Sequence, residues 1–375
     1  MRRLVVAALV AGAILSAGAV HGSAAPPKPW LWQCAQIHLA VAKFDCDVRL
    51  LLEEVDRSGD PSRELPLMDV KARTAGDALE GSCHALMHEV GRRFARQHGV
   101  TLSTLQQYIP RSNDPTCSAG FGMGLVMALG PELIRDGGAG ALRTCLALPT
   151  RYRTYTCVHG IGHALMRGFH GDLASGVAGC RKLHIYAADC AQGVFHDYWI
   201  ALRGADGTEK LNDVETSPRA ICNGHLFYVR PCWYRYFLEL PGRPAAETPA
   251  DVVRPCGGLR PLQRSGCIAA VAVTIGGDAF VQLGICRRLR AVDASSCVRG
   301  AAVQAVAGRR RAQARLVRAC TRFPRAARAD CYAWLGRTLA VVTDGRFRCA
   351  SAATPARQAC ARGASRSKRA LFTFS

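Results

Sequence analysis

The chain is short of acid, and the shortage is uneven. Against 49 lysines and arginines stand 28 aspartates and glutamates, for a formal net charge of +21. Residues 286–375 hold only Asp293, Asp330 and Asp344 among 20 basic residues, a net of +17, whereas residues 26–285 come to +2. The basic third suits an anionic envelope component or an anionic small molecule, or simply a solvated surface. Histidine is missing from it: none of the 11 lies beyond His225.

Other absences exclude chemistries. No H-E-x-x-H, G-x-S-x-G or C-x-x-C-H occurs, so a zincin, a hydrolase nucleophile elbow and a c-type haem site lack support. There is no sequence-specific nucleic-acid motif. After residue 25 no apolar run is long enough to be a transmembrane segment. The first residues, "MRRLVVAALVAGAILSAGAVHGSAA", begin with Arg2 and Arg3, continue apolar but broken by Gly, Ser and Ala, and end on small residues. This reads as a signal peptide over 1–25 rather than a retained anchor, and predicts a secreted or periplasmic protein.

Cysteine, by contrast, is abundant. Eight pairs are separated by 10 to 12 residues: Cys34 and Cys46, Cys145 and Cys157, Cys180 and Cys190, Cys222 and Cys232, Cys256 and Cys267, Cys286 and Cys297, Cys320 and Cys331, Cys349 and Cys360. Cys83 and Cys117 stand outside the pattern and are candidates to bridge each other. Eighteen cysteines fit an oxidising compartment, and the even count leaves no thiol over for a nucleophile. A bridge inside each pair would close a short turn and contribute about 2–3 kcal/mol; bridges between repeats are the alternative that spacing alone leaves open.

An apolar-periodic run precedes the first cysteine of a pair and a longer one follows the second, as in "ARLVRAC" and "CYAWLGRTLAVV". The pattern predicts a helix ending at the first cysteine, a turn, and a second helix starting at the next. The fold class is therefore all-α: an array of disulfide-stapled helical hairpins, repeating about every 30–42 residues and curved or closed like a solenoid or toroid. The repeat length is similar to that of tetratricopeptide-type arrays, whose Trp-Leu-Gly-Tyr signature is absent. Glycine recurs three residues after the second cysteine, at Gly120, Gly160, Gly193 and Gly300, which predicts close helix packing. The expected division is a near-neutral histidine-bearing region, 26–285, followed by basic helical repeats and a tail, 286–375.

Two segments, "HALMHEVGRRF" and "HGIGHALMRGF", share the pattern H-x3-H-x3-R-x-F. Spacing four puts both imidazoles on one helix face, one turn apart, where they can reach a single metal ion. The candidate metal ligands are His84, His88, His159 and His163, with His196 and Asp197 from "CAQGVFHDYW". A histidine-rich site without free thiolates suits a divalent transition metal: Zn, Cu or Fe. Arg92 and Arg167 would repel a cation unless paired with a carboxylate or an anionic substrate. With His225, they are the candidate substrate-binding residues. The layout has an analogue in deoxyhypusine hydroxylase, a helical-repeat iron enzyme, but its His-Glu motifs are absent apart from His88-Glu89. The sequence thus points to a metal-dependent enzyme, oxidative or hydrolytic and with no assignable catalytic residue. Its alternatives are an envelope scaffold docking through the basic third and a metal-handling protein.

Overall fold

The computed structural model describes residues 30–74, 77–136, 138–201, 217–239, 246–275, 279–304, 310–344, 349 and 354–367. The expected signal peptide lies outside them, as do parts of the basic segments near 308 and 368. The apolar-periodic runs fold as helices, and no strand occurs among the described residues. The N-terminal part comprises α1 (Ala40–Ser58), α2 (Pro61–Thr74), α3 (Asp77–Gln97), α4 (Leu105–Tyr108), α5 (Cys117–Met127) and α6 (Gly130–Asp136). Hairpins of a short and a long helix follow: α7 (Ala139–Leu146) with α8 (Arg151–Gly168), α9 (Leu173–Arg181) with α10 (Ala187–Ala201), and α11 (Pro218–Gly224) with α12 (Val229–Leu238). The series continues with α13 (Pro249–Val253) and α14 (Pro261–Val273), α15 (Ala279–Cys286) and α16 (Ala291–Gln304), and α17 (Arg310–Ala319) and α18 (Arg325–Val342); α19 (Thr354–Arg366) is the last described helix.

Capping sets the entries. The Thr150 hydroxyl accepts from the backbone N–H of Arg153 to start α8, and Asp172 accepts from those of Ala174 and Ser175 to start α9. Each short helix packs on the long one after it, and the long helices stack in series from α3 through α5, α8, α10, α12, α14 and α16 to α18. The array curls back on itself. Helix α18 touches α8, and Arg151 Nη1 donates to Ser367 Oγ at 2.7 Å across 216 residues of chain.

All eighteen cysteines are bridged. The bridges join Cys34 to Cys46, Cys83 to Cys117, Cys145 to Cys157, Cys180 to Cys190 and Cys222 to Cys232. They continue with Cys256 to Cys267, Cys286 to Cys297, Cys320 to Cys331 and Cys349 to Cys360. Nine disulfides fit an oxidising environment, and no described helix is long and apolar enough to cross a membrane.

One expectation needs correction. The second cysteine of a pair was expected to start its helix, and it does not. Cys46 lies six residues inside α1, Cys267 six inside α14 and Cys360 six inside α19. The same holds for Cys157 in α8, Cys297 in α16 and Cys331 in α18, whereas Cys190 and Cys232 lie three residues inside α10 and α12. The turn is too tight for end-to-end linkage, so the bridge joins the end of one helix to the flank of the next.

The recurring glycines are contact points. A Cβ on Gly120 would overlap the carbonyl of His84, on Gly193 that of His159, and on Gly300 that of Ala269. Gly162 meets the carbonyl of Cys190 in the same way. Helices α3/α5, α8/α10 and α14/α16 thus touch backbone to backbone, offsetting the roughly 1 kcal/mol that glycine costs inside a helix. Gly193→Ala should destabilise the fold by about 2 kcal/mol through overpacking. Gly224→Ala, where a Cβ meets nothing within 4 Å, should change stability by less than about 0.5 kcal/mol. Denaturant unfolding with the disulfides intact measures both; equal effects would contradict the contact.

Candidate metal centre

The α8/α10 contact determines which side chains meet. His159 and His163 lie one turn apart on α8, and His196 lies three residues beyond Gly193 on α10. Because Gly193 and Gly162 bring the two backbones together, the three imidazoles converge. Ring centroids are 5.0 Å apart for His159 and His163, 5.5 Å for His159 and His196, and 4.9 Å for His163 and His196. Each offers a ring nitrogen within 4.8 Å of the others, a group able to hold a metal ion. His159 and His163 are fully buried and His196 is 7% exposed.

Helix α3 adds the second H-x3-H pair. Gly120 and Gly124 of α5 lie against the carbonyls of His84 and His88, setting α3 beside the centre. The His88 ring is 4.9 Å from that of His163 and 5.8 Å from that of His196. The His84 ring meets that of His88 edge-on at 4.8 Å, and its Nδ1 donates to the Pro115 carbonyl at 2.8 Å. The six residues proposed as ligands therefore divide. Three imidazoles form the centre, His88 adjoins it, His84 lies at the edge, and Asp197 acts through His163. His225 is elsewhere, with its ring 6.0 Å from that of Phe195.

Carboxylates back two of the rings. Asp197 Oδ1 lies 3.2 Å from His163 Nδ1, and Glu239 Oε1 lies 3.3 Å from His196 Nε2. Facing a carboxylate, each of those nitrogens carries the ring proton and donates it. The opposite nitrogens, His163 Nε2 and His196 Nδ1, then hold lone pairs. His163 Nε2 is buried with no partner, and His196 Nδ1 faces His159 Nε2 at 3.3 Å. The guanidinium of Arg235 lies 3.4 Å from His159 Nε2. One proton between His159 Nε2 and His196 Nδ1, or one cation bound to both, satisfies this approach. The 3.3 Å separation matches two nitrogens bound to one tetrahedral ion at about 2.0–2.1 Å.

Arg235 and Glu239 were not anticipated. They lie within an aromatic run, "CWYRYFLEL", with no histidine near. One signal was available: Glu239 stands seven residues after Cys232, as Asp197 does after Cys190. The arginines that were anticipated are engaged by acids. Arg92 Nε donates to Glu89 at 2.7 Å, and Arg167 Nε to Asp197 at 3.2 Å. His98 and His170 sit at turns: His98 stacks on Phe94 at 4.0 Å and bonds Asp56, and His170 has a φ of 52°.

Burial keeps the cluster neutral. It pushes His88, His159 and His196 well below the ordinary histidine value, and positive neighbours, including Arg235, add to the effect. His163 is lowered by burial despite the opposing pull of Asp197, and His84 is lowered to about 4, again by burial first. Burial raises the Asp197 carboxyl, but Arg167 and His163 outweigh it and hold the group below its usual value.

Comparison with known protein families, characterised proteins and solved structures finds no match for the chain.

In the metal-free protein these five histidines stay neutral when folded, while their unfolded counterparts take up protons below about 6.5. Unfolding then binds protons, so this part of the stability is full above about pH 6.5 and is lost as pH falls below it. Denaturant midpoints measured from about pH 7.5 down to about pH 4.5 should fall steeply, and a flat profile would contradict neutral burial.

Proposed function

We propose that this chain is an exported metalloprotein that holds Zn, Cu or Fe between His159, His163 and His196, and that it is a metal-dependent enzyme. The observation that carries the reading is the approach of His159 Nε2 to His196 Nδ1 at 3.3 Å, beside the unpartnered Nε2 of His163. An unsatisfied buried acceptor costs about 1–3 kcal/mol, and one ion bound to all three nitrogens would satisfy His163 Nε2. The carboxylate behind two of the ligand rings is the arrangement that fixes tautomer and raises ligand basicity in metal sites.

Charge extends the reading to the substrate. Arg167 and Asp197 cancel, and so do Arg235 and Glu239. A divalent ion would therefore bring two uncompensated charges into a buried site, where an anionic ligand must accompany it. Three protein nitrogens also leave a coordination position open, as catalytic sites do. Such an ion supplies Lewis acidity toward water or a site for dioxygen. The chain's residues orient the rings, exclude bulk water, and offer Arg235 as a donor to an anion at the centre. The chemistry is oxidative or hydrolytic, and the full burial of His159 and His163 favours a small reactant.

Elemental mass spectrometry of the mature protein, purified without a histidine tag, tests this. About one equivalent of Zn, Cu or Fe is expected, and His163→Ala/His196→Ala should lose it while keeping its near-ultraviolet dichroism. Asp197→Asn should weaken metal affinity roughly 10–100-fold. A protein that folds normally and takes up no metal would overturn the reading and leave the imidazoles as a hydrogen-bonded network.

A further inference from the structure

The basic third of the chain holds a pocket unrelated to the imidazoles. One wall is α15 and the turn after it, with Phe280, Leu283 and Gly284 on one helix face and Arg287 just beyond. The other is the end of α17 and the turn after it, with Arg315, Arg318 and Arg322. Leu283 and Phe323 are buried at the base, and the Arg315 guanidinium lies 5.2 Å from the Phe280 ring. A Cβ on Gly284 would meet nothing within 4 Å, so this wall faces open space. The main lobe encloses about 420 Å³.

Among the described residues no aspartate or glutamate lines this pocket, and none of Arg287, Arg315, Arg318 and Arg322 makes an ion pair. Elsewhere arginines do find acids: Asp293 takes both Arg264 and Arg290. The four guanidiniums repel one another, yet the walls cannot easily part. Cys286 at the end of α15 and Cys320 just after α17 are both bridged onto the following helices. A stapled arginine pocket is preorganised for an oxyanion, which guanidinium groups bind with paired hydrogen bonds. Its base is aromatic and aliphatic, so the preferred anion carries an apolar portion next to its charge.

We propose that this pocket binds the phosphate of an anionic phospholipid and docks the protein on a membrane surface. The phosphate lies among Arg315, Arg318 and Arg322, and the first carbons of the lipid lie on Phe280. This docking is independent of the metal reading and survives its failure.

Vesicle co-sedimentation of the mature chain tests it, with phosphatidylglycerol and phosphatidylcholine in equal parts against phosphatidylcholine alone. Binding is expected only to the first. Each basic residue near an anionic surface contributes about a fivefold change in partition, so Arg318→Glu/Arg322→Glu should bind more than about tenfold more weakly. Arg57→Glu/Arg135→Glu, two exposed arginines on other helices, makes the same change in net charge and should stay within about twofold of the parent by the same measure. Phe280→Ala should weaken binding severalfold without loss of dichroism. Equal binding to both vesicles, or equal loss in the two charge-reversal variants, would overturn the proposal in favour of diffuse attraction. Full release by inorganic phosphate, with Phe280→Ala silent, would also overturn it and identify a free oxyanion as the ligand.

Discussion

The site depends on one contact: the backbone of α8 against the backbone of α10, at Gly162 and Gly193. Any side chain at either position would overlap a carbonyl of the opposing helix. Only at this approach does a histidine on α10 reach two histidines on α8. Helix α5 makes the same contact with α3 through Gly120 and Gly124, which carries His84 and His88 to the same region. The disulfides hold each short helix to its long partner, and the glycines set how close the long helices come. Together they bury four imidazoles, with His84 half-buried beside them, in a fold with no thiol left to compete for a metal.

The two halves of the array use one register for different chemistry. His159 and His163 stand two and six residues after Cys157. In the basic third, Arg299 stands two after Cys297 and Arg337 six after Cys331. These arginines are stacked on Trp334, at 5.1 and 5.0 Å from its ring. Burial, together with Arg230 and Arg337, lowers Arg299 to about 10. Inward positions that carry imidazole in one half carry guanidinium in the other. This is the structural counterpart of the histidines stopping at His225. Cationic chemistry thus separates from the neutral donors that a metal needs.

Much of this was legible in the sequence because it is periodic. Cysteine spacing predicted the hairpins but left open whether bridges close within a pair or between repeats, and glycine spacing predicted the helix contacts. The H-x3-H pattern picked out the faces that meet, although the two pairs sit at different offsets from their cysteines. Less legible was what depends on distance between helices. Glu239 reaches His196 from 43 residues away, and Arg235 reaches His159 from 76. Neither belongs to a motif, and only the offset shared by Glu239 and Asp197 linked them. The helix starts were misplaced because a cysteine such as Cys46, Cys267 or Cys360 marks where a bridge attaches, not where a helix begins. The requirement that Arg92 and Arg167 find negative charge was correct in kind. Glu89 and Asp197 meet it, and they lie on the same or the neighbouring helix.

The central claim is that His159, His163 and His196 share one ion, and anomalous X-ray diffraction from crystals of the metal-loaded protein tests it most directly. The account predicts one strong peak at the metal edge within bonding distance of all three rings, with His163 and His196 still held by Asp197 and Glu239. A peak at the surface, or no peak among rings that remain within hydrogen-bond distance of one another, would contradict it.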